Sequence, residues 1–302
     1  MVLVLAGCSG TSAPSAPVPG ASETAQPSLS VSAGPSAASV SPTSSPASTA
    51  PDTVRLAGAP NFRDLAGDGA GLQLADGRHL ARGVVYRSGK LSNLTAADLK
   101  ALRSLGLVAI FDLRTPDVAR RSPDPAVAGA DYQLINLFGV QTAPSPRIRT
   151  VADARARLRE LNVEFVTDPE QRRRLRDVLE QIAAAPGPVL IHCTEGKDRT
   201  GWVSAMLAHL AGADDQVVLS SYLASNQYRA AEVKAGYAAR KKADGQAAAE
   251  LYLAQARVEP QYLQAGLEAA QSRYGGLDGY LRDGVGLTAA TIEKLRAKLI
   301  ST

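Results

Sequence analysis

The sequence predicts an α/β fold, with a mostly parallel central sheet, helices on both of its faces and a helical C-terminal part. Three observations predict it. Short, continuously apolar runs alternate with amphipathic helical stretches, as they do where parallel strands are covered on both sides. Several of those runs end in polar residues, at the position where parallel strands deliver functional groups. From Asp214 onward the pattern is helical.

Within Arg82 to Ser88, the run Val84-Val85-Tyr86 reads as a short strand by its β-branched and aromatic content. Thr95 then opens a helix with a capping-box-like start, because Asp98 follows three residues later. Leu99, Leu102 and Leu105 fall on one face of it, and Gly106 stops it. Leu107 to Phe111 is apolar without a break, so strand, helix and strand make one crossover unit. Tyr132 to Phe138 reads as a further strand and residues 170–185 as an amphipathic helix ended by Pro186-Gly187-Pro188. Val189-Leu190-Ile191 is another buried strand, and a helix from Thr200 to Leu210 follows at once. Residues 229–257, Ala-rich, charged and too long for a connection, are expected to form a helical lid over Cys193. Thr288 opens the last helix. In a parallel sheet, Arg87-Ser88, Asp112 with Arg114, and His192-Cys193 would share one rim.

The 302 residues divide by composition. Residues 9–52 are almost wholly Ser, Ala, Pro, Thr and Gly, which bury too little apolar surface to offset their ordering entropy, and they read as an extended tether. Residues 53–302 are left for one large α/β domain. The formal charge of +4 and pI near 9.1 come from helical stretches such as Arg155/Arg157/Arg159 and Arg172/Arg173/Arg174/Arg176. No aromatic residues are interleaved among them, so they read as solvated helix faces rather than a nucleic-acid surface, with a mild positive field that favours anionic substrates. Two cysteines, Cys8 and Cys193, lie in segments of opposite character, and His79, His192 and His209 are scattered, so neither a disulfide nor a metal site is expected. No segment is apolar for long enough to span a bilayer. Leu5-Ala6-Gly7-Cys8, within residues 1–8, resembles a truncated bacterial lipobox, which would make Cys8 a lipid-bearing residue and the protein an exported one, anchored to the outer face of the cytoplasmic membrane or secreted.

The chemistry concentrates in His192-Cys193-Thr194-Glu195-Gly196-Lys197-Asp198-Arg199-Thr200-Gly201. Five residues separate Cys193 from Arg199 between a strand and a helix. A loop of that length can turn successive backbone N–H groups inward at a phosphate, while the following helix directs its positive end at the same spot. Arg199 supplies a planar fork matched to two phosphoryl oxygens, and the same field favours the thiolate of Cys193. Thr194, Glu195, Gly196, Lys197, Thr200 and Gly201 are expected to line the anion, and His192 to organise the loop through hydrogen bonds. No cofactor is called for. The expected reaction is attack of Cys193 on phosphorus, followed by hydrolysis of the thiophosphoryl group. Asp112 and Asp198 are both candidates to protonate the leaving oxygen, and spacing does not separate them. Asp112 is favoured slightly, because a residue inside the loop has less freedom to sit beyond the phosphate. Trp202 is expected to pack rather than to touch substrate.

The loop resembles the Cys-x5-Arg phosphate loop of the protein tyrosine phosphatases, and the string HCTEGKDRTG is similar to that of the bacterial tyrosine/serine phosphatases of the secreted mycobacterial type. Asn61-Phe62-Arg63-Asp64-Leu65-Ala66-Gly67, Tyr86-Arg87-Ser88-Gly89, Asp112-Leu113-Arg114, Tyr222-Leu223 with Ser225-Asn226, and Tyr274-Gly275-Gly276 through Tyr280-Leu281 extend the resemblance over residues 55–302. It implies a protein tyrosine phosphatase-like fold and cysteine-based hydrolysis of phosphotyrosine, with phosphoserine or phosphothreonine as further substrates. Lys197 and Asp198 match a loop variant also similar to phosphoinositide phosphatases, which adds lipid head groups as a substrate class. Glu195 departs from the small or apolar residues usual there and is expected to weaken binding of highly anionic substrates. A rhodanese-type sulfurtransferase also sets a Cys ahead of a helix but needs no phosphate fork; a catalytically silent phosphate-binding module would not need the Cys, Arg and Asp set.

Overall fold

Val189, Leu190 and Ile191 are apolar and wholly buried, and a strand of that composition belongs in the middle of a sheet. It lies there. The computed structural model describes residues 54–144 and 147–301; Cys8, the lipobox and the tether lie outside the described residues. Strands β1 (Arg63–Asp64), β2 (Val85–Ser88), β3 (Ala109–Asp112), β4 (Asp131–Leu134) and β5 (Val189–His192) form one sheet in the order β1-β2-β5-β3-β4. β2, β5, β3 and β4 are parallel, and β1 pairs antiparallel with β2. The strand β4, with Asp-Tyr-Gln-Leu, takes the edge and leaves Tyr132 47% exposed. The register sets Ser88, His192 and Asp112 side by side, so the three polar strand ends do share one rim.

Alternation along β5 sends Val189 and Ile191 to one face and Leu190 to the other. On the Leu190 face, Leu102 of α1 (Ala96–Arg103) packs with Phe62, Tyr86, Leu91 and Ile110. Thr95 and Asp98 close the expected capping box, and Asp98 also accepts from the backbone of Ala57 and Gly58, which pins the entering chain to the helix start. Helix α2 (Pro116–Arg121) and the loop after it complete that side.

The opposite face is thicker. It carries α3 (Val151–Thr167), α4 (Pro169–Ala184), α5 (Arg199–Leu210), α6 (Asp215–Tyr228) and α9 (Pro260–Tyr274), with α11 (Ala289–Leu299) beside α4 and α5. α5 is buried on nearly all sides, as a helix apolar around its circumference must be. Trp202 at its start stacks on Phe165 with ring centroids 5.6 Å apart and meets Tyr280 edge-on at 6.0 Å, so it packs as expected. Burying each such side chain contributes about 1.5–3 kcal/mol. The arginines of α3 and α4 pair with acids, Arg157 with Glu160 and Glu164, and Arg173 and Arg174 with Glu170, the solvated faces their composition indicates.

One element differs from expectation. The strand foreseen over 132–138 stops at Leu134; Ile135 and Leu137 still donate to the Asp112 and Leu113 carbonyls, but the chain is already turning off the sheet edge toward Gly139. Residues 229–257 form a pair of helices, α7 (Ala230–Asp244) and α8 (Gln246–Ala256), joined at Gly245. Val233 alone among α7 residues is buried, so α7 rests lightly on the rest of the fold, whereas α8 buries Ala249, Ala254 and Ala256 and packs against α3. After the short α10 (Leu277–Gly279), a single π turn over Tyr280–Gly284 leads to α11, which Thr288 caps.

Candidate active site

Cys193 follows β5 directly, and α5 begins six residues later at Arg199, so the loop between them is short and its ends are fixed. Three of its carbonyls are held from outside. The Thr194 carbonyl accepts from Lys90 N at 3.0 Å, that of Glu195 from Asn61 Nδ2 at 2.8 Å, and that of Gly196 from Arg87 Nη2 at 2.9 Å. In a trans peptide the N–H points opposite to the C=O. Outward carbonyls therefore leave the amide hydrogens for the interior, and Gly196 N donates to Cys193 Sγ at 3.3 Å. Gly196 has φ +72°, and a Cβ there would lie 2.4 Å from the Ser88 carbonyl, so only glycine lets the loop press against the end of β2.

Arg199 spans the loop. Its Nη1 donates to the Leu113 carbonyl at 3.2 Å and its Nη2 to Thr194 Oγ1 at 3.1 Å, with the guanidinium carbon 4.6 Å from the centre of the Phe138 ring. The fork is thus held in plane beside Cys193 and the first turn of α5. Thr200 and Gly201 are buried in that turn; the Thr200 hydroxyl has no hydrogen-bond partner, and Gly201 admits the Tyr222 ring.

Lys197 is turned toward two acids. It is 2% exposed, and its Nζ lies 2.9 Å from Asp198 Oδ2 and 3.6 Å from Glu195 Oε2. Burial opposes its charge, but Asp198 and Glu195 outweigh burial and hold its pKa above the ordinary lysine value. Lys197 thus holds Asp198 through both carboxylate oxygens. Glu195 is 40% exposed and also meets Arg229 Nη1 at 3.3 Å. Arg229 joins α6 to α7, so this contact ties the root of the α7/α8 pair to the loop.

Asp112 is enclosed by its neighbours. Its side chain is 0% exposed, grips Arg114 with both oxygens at 2.6–2.9 Å, and accepts from Tyr132 at 2.7 Å. Burial alone would favour the neutral acid, but His192 and Arg114 outweigh it and hold the carboxyl below its usual range. Asp198, by contrast, has a side chain 19% exposed. Asp124 completes the cluster from the other side of Arg114. Asp112, Asp124 and His192 come close enough to resemble a metal cluster, but the Arg114 guanidinium already holds both carboxylates. His192 is buried, with Nδ1 3.4 Å from its neighbour's carbonyl at Cys193 and Nε2 3.4 Å from Asp124; burial lowers its pKa against the pull of both acids.

Asn61 and Arg87 stood in quoted sequence blocks without a role, while Asp124 and Arg229 carried no signal. Ser122-Pro123-Asp124-Pro125 reads as an ordinary turn, and nothing local shows that Asp124 is buried. An apolar cavity of about 500 Å³ beside β4, lined by Leu91, Ile110, Tyr132 and Leu134 among others, shares no residue with the loop.

Comparison with known proteins matches residues 54–301 to a family described as the tyrosine phosphatase family. The chain is 31% identical over 283 residues to the triple specificity protein phosphatase PtpB of Mycobacterium tuberculosis, covering 81% of this chain and 98% of that one. It is 30% identical over 265 residues to a tyrosine-protein phosphatase of Nostoc commune, covering 80% of this chain and 87% of the relative.

Proposed function

The chain belongs to the tyrosine phosphatase family, and from that premise we propose that it is a cysteine-dependent phosphatase whose nucleophile is Cys193, whose phosphate fork is Arg199 and whose proton donor is Asp198. The enzyme is a protein-tyrosine phosphatase acting on phosphorylated substrates. The observation that carries the mechanism is the ring of outward-held carbonyls around Cys193, closed by Arg199.

In the first step Cys193 Sγ forms a bond to phosphorus as the bond from phosphorus to the leaving oxygen breaks. The amide hydrogens and Arg199 hold the three equatorial oxygens, where charge accumulates. Asp198, 19% exposed and oriented by Lys197, gives its proton to the leaving oxygen. Water then attacks phosphorus, Asp198 takes its proton, the S–P bond breaks and inorganic phosphate departs. Phosphotyrosine is the main substrate class; phosphoserine, phosphothreonine and phosphoinositides stand behind it. Glu195 at the mouth, engaging both Lys197 and Arg229, supports a preference for singly phosphorylated groups.

Asp198→Ala separates the two acid candidates. Turnover of an aryl phosphate with a poor leaving group is expected to fall about 10²–10⁴-fold, and that of an activated ester far less. Equal losses on both esters would remove Asp198 from the role.

The α7/α8 pair is read as a cover for the thiolate, attached through Arg229 to Glu195. Its amides are expected to exchange more slowly when vanadate is bound. Identical exchange with and without vanadate would leave it a peripheral helix pair.

A further inference from the structure

Arg87 is a charge without a visible counterpart. It ends β2 beside the loop, is 1% exposed, and places only Nη2 in a hydrogen bond, to the Gly196 carbonyl. Its Nε and Nη1 are buried with no partner. Arg63, paired with it across β1 and β2, is also buried and bonds to Asn61, to the Ser221 carbonyl and to Ser225 rather than to a carboxylate. The groups acting electrostatically on Arg87 are Cys193 on the loop, Tyr222 and Tyr228 on α6, and Arg63 on β1; none is a carboxylate. Burial brings its guanidinium down to about 10, with Cys193 acting in the opposite direction, so it remains cationic at neutral pH.

Burying an unpaired guanidinium is costly, and such groups are ordinarily matched by an acid. The other buried arginine on this rim, Arg114, has two. What Arg87 has instead is the floor of the loop: the Gly196 carbonyl at 2.9 Å, and Gly201, whose missing Cβ would lie 3.7 Å from its Nη2. The anions that complete this charge are those of the reaction, the sulfur of Cys193 and the phosphoryl group it receives.

We propose that Arg87 is a positioning residue for catalysis: from beneath the loop it turns the Gly196 carbonyl outward and supplies the buried positive charge that holds Cys193 as a thiolate, without touching substrate. The assignment rests on Cys193 being the nucleophile of a phosphatase. Two parts of the role separate by substitution. Arg87→Gln keeps a donor for Gly196 and loses the charge; Arg87→Lys keeps the charge and loses the fork.

The test is the pH dependence of Cys193 alkylation by iodoacetamide, followed by mass spectrometry on the full chain, with and without vanadate. In Arg87→Gln the midpoint is expected to rise by about one pH unit or more, a loss of about tenfold in rate at pH 6. Arg87→Lys is expected to stay nearer the wild type, and kcat/KM for p-nitrophenyl phosphate to follow the same order. Should the amide variant not fold, Arg87→Met replaces it, an apolar side chain of similar length that relieves the buried charge. A folded neutral variant with the wild-type midpoint overturns the assignment. Vanadate that protects wild-type Cys193 while the midpoint stays put refutes the role of Arg87 alone; vanadate that gives no protection refutes the reading of the site itself.

Discussion

Cys193→Ser is expected to lose p-nitrophenyl phosphate turnover by about four orders of magnitude or more, while the folded protein continues to bind inorganic phosphate. A serine hydroxyl needs a general base to act as a nucleophile, and Asp198 cannot be that base in the first step, where it must carry the proton it gives to the leaving oxygen. His192 is buried, with one ring nitrogen toward the Cys193 carbonyl and the other toward Asp124. Asp112 is consumed by Arg114 and Tyr132, and Lys197 by Asp198 and Glu195. Of the loop's supports only the Gly196 amide meets the sulfur, while its carbonyls and Arg199 are held by other groups, so anion binding should persist. Steady-state kinetics and phosphate titration by calorimetry check both halves. A serine variant with full turnover would end the mechanism.

Arg199→Lys is the second large effect, a fall of about 10²–10³ in kcat/KM with kcat reduced along with it. An ammonium is a point charge. It cannot reach the Leu113 carbonyl and Thr194 Oγ1 at once, nor lie flat against Phe138, and these contacts hold the fork where the equatorial oxygens gather charge. A uniform loss of binding would raise KM and leave kcat alone; the involvement of the transition state is what predicts a fall in kcat. Kinetics on one aryl phosphate, with phosphate affinity measured separately, distinguish them. A lysine variant with wild-type kcat would assign Arg199 to ground-state binding only.

What the sequence made legible was local. The strand Val189–Ile191, the loop from Cys193 to Arg199 and the helix after it are one uninterrupted piece of chain, so periodicity and spacing specify them directly. The capping box at Thr95 is legible for the same reason. The antiparallel strand β1 is two residues long, Arg-Asp, and carries no alternation to detect. The proposal of Asp198 over Asp112 rests on burial, which depends on Asp124 and Tyr132 arriving from other places in the chain to enclose Arg114 and Asp112. Lys197 reads as a phosphate ligand until Glu195 and Asp198 are seen to enclose it. Arg87 lies 109 residues from the carbonyl it binds, a separation that no window of sequence spans.

The three moorings of the loop come from separate parts of the scaffold: Asn61 ahead of β1, Arg87 within β2 and Lys90 just beyond it. Each grips a different peptide unit, so moving any one of them would have to drag against the other two. A receptor braced in this way keeps its shape whether or not a guest is present. The affinity of an incoming phosphoryl group is then directed at the reacting centre instead of at folding a site around itself. Between turnovers the departing product leaves behind the same vessel that the next ester enters.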